Sequence, residues 1–160
     1  MARRLRPVQL DFLGTAPVRL VHTALVAAPP RAVYRALAEE VADTPRWFTA
    51  VTAARPIAGG AGRSVRLRGG VVFHERVLAA EAGERYAYRV EETNAAGMTA
   101  MLEEWRLSPD PVGTRVRWTM ALDGPGPFRL VMRVRRAGVG RSFREAMRNL
   151  DRRLGAAPQP

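Results

Sequence analysis

The chain has 160 residues, 47% hydrophobic and 26% charged, with no cysteine and a formal net charge of +11. That length suits one domain with a real core and room for a cavity, and the missing cysteine excludes a disulfide framework and thiolate chemistry. No apolar run approaches the ~20 residues of a membrane helix, and no apolar stretch follows the basic start at Arg3, Arg4 and Arg6 as a signal peptide would require, so a cytoplasmic protein is expected.

The positive charge has two readings. It can mark contact with nucleic acid or an anionic membrane. It can also reflect GC-rich coding, because all 26 basic residues are arginine and alanine, glycine and proline are abundant.

Residues 1–16 sustain no period and read as an arm, ordered only if Leu10, Phe12 or Leu13 docks. Val18 to Ala27 is rich in β-branched and apolar residues and predicts a first strand. Pro29-Pro30 ends it and can open a helix, with Val33, Tyr34, Leu37 and Val41 on one face. A second short helix is expected from Asp43-Thr44-Pro45, capped by Asp43 or Thr44 and carrying Trp47 and Phe48. Six short strands follow between turns: 51–57, 63–68, 71–80, 85–92, 98–107 and 114–122. Their succession predicts an antiparallel meander.

Alternation assigns the faces. Val116, Trp118, Met120 and Leu122 point one way, against Arg115, Arg117 and Thr119. Tyr86, Tyr88 and Val90 alternate with Arg85, Ala87 and Arg89, and Val65 and Leu67 with Arg66 and Arg68. Met101, Trp105 and Leu107 share a face with Glu103, and Phe73, Val77 and Ala79 share one with Glu75. From Pro125 to Leu154 the pattern is one long amphipathic helix, with Phe143, Ala146, Met147, Leu150 and Leu154 on one side and Arg141, Arg144, Arg148 and Arg152 on the other. Its apolar stripe needs a sheet to cover. A single domain over 17–154 and a loose tail over 155–160 are expected.

Several stretches resemble one family. Val26-Ala27-Ala28-Pro29-Pro30-Arg31-Ala32-Val33-Tyr34 is similar to the strand followed by A-P-x-x-x-V-[WY] that opens the bacterial polyketide cyclase/dehydrase and lipid-transport (SRPBCC) proteins. These belong to the START-like and Bet v 1-like superfamily. Trp47, Glu75-Arg76-Val77 and Gly113-Thr114-Arg115-Val116-Arg117-Trp118 resemble further motifs of that family, and the likeness covers about residues 18 to 154. The resemblance implies an α+β helix-grip fold: a seven-stranded curved antiparallel sheet wrapped around a long C-terminal helix, with two short helices between strands 1 and 2. It also implies an apolar cavity between sheet and helix. By the phase of the strands and of the C-terminal helix, that cavity would be lined by Phe73, Glu75, Tyr86, Tyr88, Met101, Glu103, Trp105, Trp118, Met120, Phe143 and Met147.

Catalytic signatures are weak. Two histidines and no cysteine leave too few ligands for a zinc site, so no metal or cofactor is expected. Ser64, Ser108 and Ser142 sit in no G-x-S-x-G elbow. Gly60-Ala61-Gly62 reads as a turn; Gly138-Val139-Gly140 reads as a kink or close packing within the helix, or as a hinge. Glu75 and Glu103 are a ligand anchor or an acid/base, or structural partners of an inward arginine such as Arg55, or, if the strand phase slips by one residue, solvent-facing side chains. His74 is expected at the surface, and His22 is ambiguous. Trp47, Trp105 and Trp118 either stack on a planar ligand or pack the core. Three functions stay open: a hydrophobic small molecule such as a lipid or polyketide-like compound bound in the cavity, a polyketide cyclase or aromatase-type enzyme, and an interaction module using the basic helix face. That face permits peripheral contact with an anionic membrane, while no motif for specific nucleic-acid binding is present.

Overall fold

The computed structural model describes residues 1–156. One antiparallel sheet dominates it. Its strands are β1 (Arg3–Arg4), β2 (Val18–Val26), β3 (Val51–Ile57), β4 (Gly62–Leu67), β5 (Val72–Glu81), β6 (Arg85–Thr93), β7 (Ala100–Asp110) and β8 (Gly113–Asp123). The order is β2-β8-β7-β6-β5-β4-β3, with β1 added to β6. From β3 to β8 consecutive strands pair, as short turns dictate, and β2 closes onto β8. The eighth strand is an addition to the expected seven.

The helices are α1 (Phe12–Thr15), α2 (Pro30–Tyr34), α3 (Gly126–Val134) and α4 (Arg136–Ala156). Pro30 occupies the first turn of α2, where its missing N–H costs nothing. A π turn (Arg35–Glu39) and a 3-10 turn (Val41–Arg46) continue from it. Asp43 and Thr44 are not caps: Thr44 donates to the Val41 carbonyl and Asp43 binds Arg153.

α4 lays its stripe on the concave face. Phe143, Ala146, Met147 and Leu150 are buried, whereas Arg141, Arg144, Arg148 and Arg152 are exposed. Each large side chain of that stripe contributes about 1.5–3 kcal/mol by leaving water. The expected single helix is two, with a turn at Arg135. The break lies before the glycine pair, and Gly140 serves close packing instead: a Cβ there would stand 2.8 Å from the His22 ring. Gly138 faces open space.

The N-terminal segment is not a loose arm. Beyond β1, Leu5 donates its N–H to the Glu91 carbonyl at 2.8 Å. Val8 and Phe12 bury against Ala100, Leu102 and Ala121 on the convex face. Leu10 stays only partly covered. In β5 a register shift between Val77 and Ala79 sets Ala79 opposite Ala87, away from the concave face where alternation had put it. The expected tail lies outside the described residues from 157 onward; Gly155 and Ala156 still belong to α4. No described helix is long and apolar enough to cross a membrane.

Candidate functional site: a cavity with a buried charge cluster

Between the concave face and the helices lies a cavity of about 500 Å³. Its floor is the sheet, through Val65, Phe73, Met101, Trp105, Trp118 and Met120. One wall is the segment around the 3-10 turn, through Thr44, Trp47 and Phe48. Another is α3, through Phe128, Val131 and Met132. Phe128 can seat there because its ring lies over Gly97 and Gly124, where a Cβ would come within 3.1 and 2.4 Å of it.

Strand register assembles the polar part of the floor. Arg63 and Glu75 are direct cross-strand partners, as are Tyr88 and Glu103. Both pairs point inward, so they meet under the cavity. Arg63 donates its Nε–H to Glu75 Oε2, and its guanidinium carbon stands 3.8 Å from the Tyr88 ring centre. The Tyr88 hydroxyl donates to Glu103 Oε2 at 2.6 Å and accepts from Trp105 Nε1 at 2.9 Å. Trp118 Nε1 donates to the same glutamate oxygen at 2.9 Å. These bonds satisfy groups whose burial would otherwise be costly.

The charges do not balance: one guanidinium serves two buried carboxyls. Burial pushes Glu75 up to about 7, Arg63 opposes that shift, and the charge of Glu103 adds to it. Burial also raises Glu103, against hydrogen bonds from Tyr88 and Trp118 and the charge of Arg63. The Tyr88 hydroxyl is pushed well above its ordinary value, chiefly by burial. Arg63 stays charged: burial works against the guanidinium, but Glu75, Tyr88 and Tyr86 together outweigh it. The cluster therefore holds a proton it can release near neutral pH, next to an apolar chamber.

Eight of the residues expected to line the cavity do so: Phe73, Glu75, Tyr88, Met101, Glu103, Trp105, Trp118 and Met120. Tyr86, Phe143 and Met147 are buried but lie outside the lining. Tyr86 packs edge-on to Tyr34, and Phe143 stacks between Trp118 and His22 as core. Arg55 is exposed, and Arg63 takes the inward place proposed for it. The signal for Arg63 was present, since it shares the phase of Val65 and Leu67. His74 lies at the surface beside Glu92. His22 faces α4, and its buried Nε2 has no partner among the described residues. Trp47 Nε1, in the cavity wall, is likewise buried without a partner there.

A curved antiparallel sheet that grips a C-terminal helix over an apolar cavity defines a helix-grip protein. Residues 17–155 match the model of the family described as polyketide cyclase / dehydrase and lipid transport, and the chain belongs to that family. An uncharacterised protein of Mycobacterium tuberculosis is 34% identical over 161 residues, covering 95% of this chain and 96% of the relative. A Mycobacterium bovis protein, also uncharacterised, matches to the same extent. Among solved structures, a START superfamily protein from Mycobacterium smegmatis superposes with a TM-score of 0.66 at 15% identity, over 86% of this chain and 97% of that one. A Rhodobacter sphaeroides protein gives 0.67 at 24% identity, over 86% and 92%. These likenesses establish the fold.

Proposed function

We propose that this chain binds a largely apolar, ring-bearing small molecule, lipid or polyketide-like, in the cavity, with its one polar group turned to Glu103 and Glu75. The observation that carries the reading is the 500 Å³ chamber with a charged cluster confined to its floor. Small-molecule sites commonly have ~300–1,000 Å³ and a few placed polar groups in an apolar lining. Trp105 and Trp118 stack at 5.1 Å and offer flat apolar surface to a ring.

The test is native mass spectrometry of protein purified gently from its own source, followed by organic extraction. A stoichiometric adduct that Ala50→Trp abolishes, in a variant that still melts cooperatively, is the expected result. A clean apo mass from fresh protein, with no uptake of planar apolar compounds, would count against binding.

A second reading has one specific observation behind it. Glu75, with its proton available near pH 7, could serve as acid/base for a dehydration or aldol closure of a bound polyketide-like chain. Glu75→Gln and Glu103→Gln separate the readings. Retained binding with no change in a co-purified compound favours a carrier. Loss of turnover with retained binding favours a cyclase.

A further inference from the structure

α3 has an unusual balance of surfaces. None of its residues is fully buried. Phe128, Val131 and Met132 turn toward the cavity. Arg129 and Arg133 turn toward the sheet, where Arg129 pairs with Asp123 at 2.8 Å and Arg133 donates to the Pro17 carbonyl. Both arginines also stay in reach of solvent, Arg133 being exposed and Arg129 half-exposed. Beside them three aliphatic side chains face water: Leu130, Val131 at the cavity rim, and Val134 are 62%, 50% and 75% exposed. At 100° per residue these three fall within an arc of about 100° on the helix.

The surroundings are basic throughout. From Gly124 to Arg144 the sequence has six arginines and no acidic residue. Among the described residues Arg133, Arg135, Arg136, Arg141 and Arg144 form no salt bridge, and all five are exposed. Arg135 also reaches the cavity lining.

We propose that α3 is a lid that docks on an anionic lipid bilayer, its Leu130, Val131 and Val134 entering the headgroup layer while Arg135, Arg136 and Arg141 bind lipid phosphates. Charge and size select this occupant. An amphipathic helix lies in a membrane interface by combining a modest apolar face with arginine attraction to anionic headgroups. Three aliphatic side chains on nine residues fall well short of the ~800 Å² per partner of a standard protein interface. The patch also lacks the exposed aromatics on which nucleic-acid bases would stack. Because the inner face of α3 walls the cavity, docking would open a path between bilayer and chamber that never crosses water. That consequence rests on the binding reading; docking itself does not.

The experiment is co-flotation of the full chain, without added ligand, with phosphatidylcholine vesicles and with vesicles that also contain phosphatidylglycerol. Wild type is expected to float only with the anionic vesicles. Leu130→Asp with Val134→Asp should lower that binding about tenfold or more. Arg135→Glu with Arg136→Glu should do the same. Arg148→Glu with Arg152→Glu carries an equal charge change on the far part of α4 and should stay within about threefold. Unchanged thermal unfolding shows that the variants fold. No flotation of wild type, an aspartate variant that floats normally, or an equal loss in the distal arginine control would each overturn the proposal. A lipid-free dimer dissolved by the aspartates would assign α3 to a second copy and overturn it too.

Discussion

Replacing Glu75 with glutamine should change how stability depends on pH. In the folded protein burial holds the Glu75 carboxyl protonated up to about 7, whereas the unfolded chain ionises near 4.5. Between those values the native state binds more protons than the unfolded state, so unfolding free energy falls as pH rises. The loss for this one group is about 3 kcal/mol and is complete above pH 7. Glu103, also raised by burial, acts in the same direction. Glutamine keeps the shape, removes the titration and leaves Arg63 facing one carboxylate instead of two. Urea unfolding of wild type and Glu75→Gln, followed by tryptophan fluorescence across this window, measures the difference. Wild type should lose about 3 kcal/mol more than the variant on going from the acid to the neutral side. Contributions from His22 and surface carboxylates cancel in the comparison. Parallel curves would refute the argument. A wild type that instead gains stability with pH relative to the variant would mean that Arg63 outweighs burial and the pair is an ordinary salt bridge.

Other expectations concern the frame around the site. Gly140→Ala should destabilise by about 1–3 kcal/mol, because its Cβ would press on the His22 ring, while Gly138→Ala, with open space around it, should stabilise by about 0.5–1 kcal/mol; paired thermal melts check both. Phe12→Ala should cost about 3 kcal/mol by emptying the small convex-face core, which chemical denaturation would register. His22 is held below its ordinary value by burial and then by Arg136 and Arg144, so its proton uptake weakens the fold as pH drops below 6.5. His22→Phe should flatten that acid-side loss of melting temperature.

The order of elements, the faces of the strands and the buried stripe of α4 could all be read along the chain. They depend on local periodicity, and a period of two or of 3.6 survives whatever the rest of the molecule does. Glu75, Tyr88, Glu103, Trp105 and Trp118 were found that way. Long-range partners carry no such period. Arg63 meets Glu75 only because β4 and β5 pair in one register, and Ala79 leaves the concave face only because β5 bulges. Phe143 and Met147 have the correct phase yet miss the cavity, because the packing of α4 on β2 fills their side of it. Phe12 could not be seen as core until the convex face supplied Ala100, Leu102 and Ala121 to cover. The break at Arg135 has no residue that demands it. It arises because α4 must lie on β2 while α3 must close the chamber, and two surfaces in different directions cannot both be met by one straight helix. Local periodicity assigned the inward side chains wherever the strands run without a bulge, Ala79 being the exception. The tertiary structure alone decided which of those meet a void, since a void is set by how distant segments pack and not by the pattern within any one of them.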